Sequence, residues 1–238
     1  MRDMDYLNLL SHEFPSARSC AAEMINLNAI LALPKGNEFF FSDIHGEYES
    51  FIHLIRSASG VVKAKIEDVF GSLMTEEEQS KLAHLIYYPN EVLITMKHSG
   101  EIADGWYERT IHQLVMLVRE VSSKYTRSKV RKKMPEEYGY AIDELIHTDE
   151  SEPDKRLYYN EIIKSVAKIE VADDFIIALA ELIQSLLIDT LHIIGDIFDR
   201  GPRADYVMDE LIKFRNVDIQ WGNHDESKIG RASCRERV

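Results

Sequence analysis

Three short polar groups stand out by residue type and spacing: Asp43 with His45; Asp196 with Asp199 and Arg200; and Asn223 with His224 and Asp225. Carboxylate, imidazole and amide oxygens are the donors that a hard or borderline divalent ion takes. Asp43, His45, Asp196, Asn223 and His224 supply that set without any thiolate. The chemistry it suits is phosphate-ester hydrolysis, in which two ions roughly 3.5 to 4 Å apart, bridged by a carboxylate, activate water and clamp the phosphoryl oxygens. Asp196 lies between the other two groups in the chain and is the natural bridge, so two ions are expected.

Taken singly, each group has a plainer reading. Asp43 could cap a turn beside a surface histidine. Asp196 and Asp199 could open a helix, with Arg200 paired to Asp199, and Gly222 to Asp225 could form only a turn. Their shared context argues against this. The groups sit in FFFSDIHGE (residues 39–47), LHIIGDIFDRGP (191–202) and IQWGNHD (219–225), and in each an apolar run leads into glycine and ligand-type residues. A strand followed by a ligand-bearing loop is how an open α/β sheet collects a site at its carboxyl edge.

The elements that must position these groups follow from periodicity. Residues 38–42 and 218–221 and the run from Leu191 read as strands. The helical pattern at 204–214, with Val207, Met208, Leu211 and Ile212, makes a strand-helix-strand crossover, so the second and third strands are expected to be parallel. Two helices are expected before residue 34, broken at Pro15-Ser16, and another through Phe51, Ile52, Leu54 and Ile55. From about 60 to 189 the patterns are helical only. Thr75 caps a helix running to Tyr88 and Pro89, and others are expected at 106–125, 140–147, 158–167 and 173–187. This stretch reads as a helical insertion, a lid or subdomain, between two strands of the sheet.

Length and composition bound the rest. The chain has 238 residues, 45% of them hydrophobic, and a formal net charge of -13. It can bury a sizeable core, and its acidity argues against nucleic acid as a partner. It has no run of the roughly 20 apolar residues that a membrane helix needs. Charges occupy the place of a signal peptide's apolar region, so the chain reads as cytoplasmic. Two cysteines, Cys20 and Cys234, make no disulfide framework. The one basic run, KYTRSKVRKK at 124–133, reads as a solvated linker or helix face, with an anion site as the sharper alternative.

DIHG at 43–46, GDIFDRG at 195–201 and GNHD at 222–225 resemble the leading signatures of the calcineurin-like metallophosphoesterases. The wider stretches YLNLLSHEFPS, INLNAILALPKGNEFFFSDIHGEYESF and TEEEQSKLAHLIYYPNE, with the long gap before the second motif, resemble bacterial class III fructose-1,6-bisphosphatase across residues 6–225. The resemblance implies an α/β fold, the calcineurin-like α-β-β-α sandwich, and hydrolysis of the 1-phosphate of fructose 1,6-bisphosphate with Mn2+. It implies that Asp43 and His45 hold the first ion, Asp196 bridges, and Asn223 holds the second. Arg200 would bind phosphate oxygens, His224 would act as general acid with Asp225 orienting its ring, and Asp199 would steady the ligand set. Further histidines are expected after the third motif, and His224 is the last here. The alternatives are a protein Ser/Thr or dinucleotide phosphatase with the same chemistry, or a non-catalytic helical interaction module.

IGRASCRERV at 229–238 has no apolar periodicity and reads like translated sequencing adapter, a non-native tail. The expected division is 1–59 for the N-terminal helices and first strand, 60–189 for the insertion, and 190–228 for the second and third motifs. The chain is expected to be an N-terminal fragment, incomplete at its C-terminus, that binds one ion weakly, is inactive alone, and exposes apolar surface on its strands.

Overall fold

A computed structural model describes residues 2–149, 151–198 and 200–226. Asp199 and the tail at 229–238 lie outside the described residues. The chain begins with helices α1 (Arg2–Glu13) and α2 (Ala17–Leu31), followed by strand β1 (Glu38–Phe41). The expected break between the helices is present, because Ser16 caps α2 in a reciprocal box with Ser19. β2 (Thr190–Ile194) and β3 (Val217–Gln220) complete a parallel sheet of order β1-β2-β3. Helix α12 (Ala204–Lys213) makes the expected crossover between β2 and β3. All three strands lie within two residues of their sequence-read positions.

Register puts Phe39, Leu191 and Val217 side by side, and likewise Phe41, Ile193 and Ile219. This face turns inward, with Phe41, Leu191 and Ile193 buried. The other face carries Phe40, His192 and Ile194, and Phe40 is 62% exposed. Apolar surface on the strands is therefore open, as expected.

Between β1 and β2 the described residues hold helices and 3-10 turns, with no strand: α3 (Tyr48–Ser57), α4 (Val61–Phe70), α5 (Glu76–Tyr87), α6 (Pro89–Ser99), α7 (Trp106–Ser122), α8 (Arg127–Arg131), α9 (Gly139–His147), α10 (Pro153–Lys168) and α11 (Ala172–Leu187). Thr75 and Glu78 close a capping box at α5, the expected start. Pro89 was expected to end the pattern. It instead sits in the first turn of α6, where a missing N–H costs no hydrogen bond. The apolar stripe of α7, with Ile111, Leu114, Val115 and Val118 fully buried, packs on α11. One core joins these helices to Leu191 and Ile193, so the helical region fixes the sheet. The architecture is mixed α/β and mostly helical. No helix among the described residues is long and apolar enough to cross a membrane.

The basic run at 124–133 is only partly the solvated helix face expected: α8 and its C-cap expose Arg127, Arg131 and Lys132, while Lys124, Tyr125, Lys129 and Lys133 turn toward neighbouring elements. These side chains close the C-terminal end of α11, where the last carbonyls have no partner within the helix and the helix dipole is negative. Lys133 donates to the Ser185 carbonyl, and the Tyr125 hydroxyl donates to that of Leu186 at 2.8 Å. Asn37 completes the cap by donating to Leu187 at 2.9 Å, and Lys124 holds Asn37 Oδ1 at 2.7 Å. Lys129 pairs with Asp189 at 2.6 Å. Because Asn37 and Asp189 stand just before β1 and β2, this cap also ties the helical region to the sheet's amino edge.

Burial, helped by the negative charge of Asp189, pushes the Tyr125 phenol up to about 12. Unfolded tyrosine ionises near about 10, so the folded state alone keeps its proton between the two values, and this stabilisation is lost as pH rises through that window. Tyr125→Phe should cost about 1 kcal/mol at neutral pH. The variant should also lose less stability than the parent between pH 10 and about 12, and urea unfolding across pH measures both effects.

Candidate metal centre

Parallel strands leave the sheet at one edge, so the three chain segments that follow β1, β2 and β3 must meet there. They meet backbone to backbone. The His45 N–H donates to the Asp196 carbonyl at 2.8 Å, and the Gly201 N–H donates to the His45 carbonyl at 2.5 Å. Arg203 N–H reaches the Gly46 carbonyl at 3.2 Å. Two glycines permit this closeness. A Cβ on Gly201 would lie 2.4 Å from the His45 carbonyl oxygen, and one on Gly222 would lie 2.1 Å from Asp196 Oδ1. Neither glycine has a positive φ, so the requirement is space, not conformational freedom.

Asp225 fastens the second loop to the third. Its carboxylate accepts N–H bonds from Asp196 at 2.7 Å, Ile197 at 2.9 Å, Phe198 at 3.1 Å and Gly222 at 3.0 Å. The sequence assigned this carboxylate to orienting the His224 ring; these four bonds to backbone were not foreseen. A carboxylate offers about four lone-pair directions, and four donors fill them. Asp225 is 3% exposed. Burial alone would raise its pKa and is the largest single effect, yet the four N–H groups together outweigh it and hold the group below the ordinary aspartate range.

On this frame Asp43, His45 and Asp196 come together, each offering a donor atom within 4.8 Å of the others. His45 Nε2 is 3.6 Å from Asp43 Oδ1. Two carboxylates and an imidazole at this spacing suit one divalent ion by donor chemistry. The backbone is strained to achieve it. Asp43, His45, Asp196 and Arg200 take φ of 55°, 51°, 57° and 65°, each at a cost on the order of 1 kcal/mol for a residue with a Cβ.

His224 lies in a helical turn spanning 223–226, its N–H donating to Asp196 Oδ1 at 3.2 Å. Its ring stands edge-on to that of His45 with centroids 5.9 Å apart. Asn223 is exposed in the same turn, and Arg200 is exposed on the loop after β2. What the sequence reading missed is the framing: the Asp225 clamp and the Gly201 and Gly222 crossings. The glycines inside all three motifs were the available signal. A cavity of about 670 Å³ lies between α5, α6 and α7 beside Leu82, Val92, Met96 and Trp106. It is apart from Asp43, His45 and Asp196, and the donor chemistry places the candidate centre at the sheet edge.

The fold and site define a protein class: a parallel α/β sheet that collects carboxylate and imidazole donors for a divalent ion at its carboxyl edge. The chain belongs to the family described as Firmicute fructose-1,6-bisphosphatase, whose model matches residues 5–238. It is 53% identical over 231 residues to a protein of Clostridium acetobutylicum named fructose-1,6-bisphosphatase class 3, covering 97% of this chain and 35% of that one. A protein of the same name from Porphyromonas gingivalis is 50% identical over 240 residues, covering 99% and 37%. One from Alkaliphilus metalliredigens is 53% identical over 234 residues, covering 98% and 35%. The chain thus spans about a third of the length of the curated relatives it matches. No solved structure matches it.

Gly222→Ala should weaken Mn2+ binding by about tenfold or more, because the new methyl displaces Asp196 Oδ1. Gly100→Ala, with φ 71° and open space around it, should lose stability without changing affinity. Calorimetric titration of both variants checks this. Asp225→Asn should cost about 2 to 3 kcal/mol in urea unfolding, since an amide cannot accept four N–H bonds.

Proposed function

We propose that a protein carrying this chain hydrolyses the 1-phosphate of fructose 1,6-bisphosphate. The observation that carries the reading is the meeting of Asp43, His45 and Asp196 at one sheet edge, in a chain of this family. The fold read from the motifs is the calcineurin-like α-β-β-α sandwich, with 60–189 as a helical insertion. Asp43 and His45 would hold one ion, Asp196 would bridge, and Asn223 would contribute to a second, with manganese as the ion. Such ions, when bound, supply Lewis acidity and an activated water. Among the described residues the donors are fuller for the first ion than for the second.

The chain's own groups have separable tasks. Helices α3 and α12 begin two or three residues beyond Gly46 and Gly201, and their amino ends favour a phosphate at this edge. Arg200 would orient phosphate oxygens through its planar fork. His224 would give a proton to the leaving sugar oxygen. Its pinned N–H and edge-on packing against His45 hold the ring beside the donor cluster. Asp199 would steady the ligand set.

Phosphate release from fructose 1,6-bisphosphate, a phosphopeptide and diadenosine tetraphosphate, measured with Mn2+ on a polypeptide of the relatives' full length that carries these residues, tests the reading. The sugar bisphosphate should be preferred. His224→Asn should keep metal content and lower turnover by about a hundredfold, and Asp196→Asn should lose both. Preference for another substrate would remove the sugar assignment, and loss of metal in His224→Asn would make that residue a ligand.

A further inference from the structure

The loops at the sheet's carboxyl edge, 42–47, 195–203 and 221–226, carry two residues of fixed positive charge, Arg200 and Arg203. Arg200 is proposed above for the reacting phosphate, and Arg203 has no task there. Its place is nevertheless closely held. The Gly46 carbonyl accepts the Arg203 N–H at 3.2 Å and the Tyr48 N–H at 3.0 Å, so the residues that open α12 and α3 meet at one oxygen, next in the chain to His45. Their side chains continue the contact. The Tyr48 and Tyr206 rings have centroids 5.5 Å apart, and the Arg203 guanidinium lies 4.6 Å over the Tyr206 ring. Among the described residues this exposed guanidinium has no carboxylate partner. A guanidinium resting on an aromatic face keeps the N–H groups in its plane for an anion.

Resting on the hydrolysis of fructose 1,6-bisphosphate proposed above, we infer that Arg203, on its platform of Tyr206 and Tyr48, binds the second phosphate of the substrate, the one at C6 that is not cleaved. A sugar bisphosphate carries two separate groups, each of about -1.5 to -2 charge at neutral pH. Ions held by Asp43, His45 and Asp196 offset the phosphate being cleaved. The other would meet a chain of net charge -13, with Glu47 and Glu226 on the same loops, and be repelled unless a cation receives it. Arg200 stands on the donor loop itself, whereas Arg203 is held on the flank formed by α3 and α12, a place for a group that is bound and left intact. Its planar fork meets a phosphate through two N–H groups at once. Helix α12 adds to this: it has ten residues and no side-chain hydrogen bond caps its amino end, so its first N–H groups remain for the same anion.

The two products separate the two phosphate positions, because fructose 6-phosphate keeps the C6 group and inorganic phosphate takes the place of the cleaved one. Competitive inhibition by each is measured against fructose 1,6-bisphosphate with Mn2+, on a polypeptide of the relatives' full length that carries these residues. Arg203→Leu should raise the KM for the bisphosphate, and the inhibition constant of fructose 6-phosphate, by about tenfold to a hundredfold. The inhibition constant of inorganic phosphate should stay within about twofold of the parent's. Arg203→Lys should recover part of the lost affinity, since it returns the charge without the fork. Tyr206→Leu should raise the same two constants by about threefold through loss of the platform. An equal rise in both inhibition constants overturns the inference, because Arg203 then serves the reacting phosphate or the fold. Unchanged constants in Arg203→Leu, or a parent that fructose 6-phosphate does not inhibit, overturn it as well. A parent that releases no phosphate from the bisphosphate removes the proposed function itself and the subsite with it, a result distinct from the others.

Discussion

The Asp225 carboxylate is the interaction on which the candidate site depends. Strands of four or five residues cannot by themselves fix the loops that follow them, and the loops here approach so closely that carbonyls and glycines touch. Four N–H groups would lose hydration in that crossing, and Asp225 replaces their water with one charged acceptor. A buried unsatisfied N–H costs about 1 to 3 kcal/mol, so without this acceptor the second and third loops would separate. Asp196 is placed by this arrangement: its own N–H is one of the four, and its Oδ1 receives the N–H of His224.

Stability and chemistry are supplied by different regions. Most of the largest fully buried side chains belong to α7 and α11, and β2 follows directly from α11. Leu191 and Ile193 anchor that strand in the same core, so Asp196 stands at the end of a rigid path from the helical region. The strained dihedrals of Asp43, His45 and Asp196 are tolerated because that core and the loop clamps offset their cost. Such strain at a carboxylate cluster suits a site whose donors must face one another before an ion arrives.

Much of this was legible in the sequence, for specific reasons. Short apolar runs leading into glycine and ligand-type residues located three strands, since the run and the breaker are both local signals. The N-cap residues Ser16 and Thr75 marked helix starts for the same reason, and both close capping boxes in the structure. Pairings distant in the chain were not legible. Lys133 meets Ser185, Tyr125 meets Leu186, and Asp225 meets Asp196, and no local pattern encodes those meetings. The basic run therefore read as a solvated helix face, which holds for Arg127, Arg131 and Lys132, while the cap made by Lys124, Tyr125 and Lys133 went unread. The residue types of the donor set could be read, but the carboxylate that frames it read as a companion of its neighbouring histidine.

The central claim is that three strand-end loops, held together through backbone, present Asp43, His45 and Asp196 to one divalent ion. Titration of the isotope-labelled chain with substoichiometric Mn2+, followed by the histidine ring signals in NMR, tests it most directly, because paramagnetic broadening falls steeply with distance from the ion. The account predicts that His45 and His224 broaden first while His112 and His147, in the helical region, stay sharp. Equal broadening of all histidines, or selective broadening of those in the helical region, would contradict it.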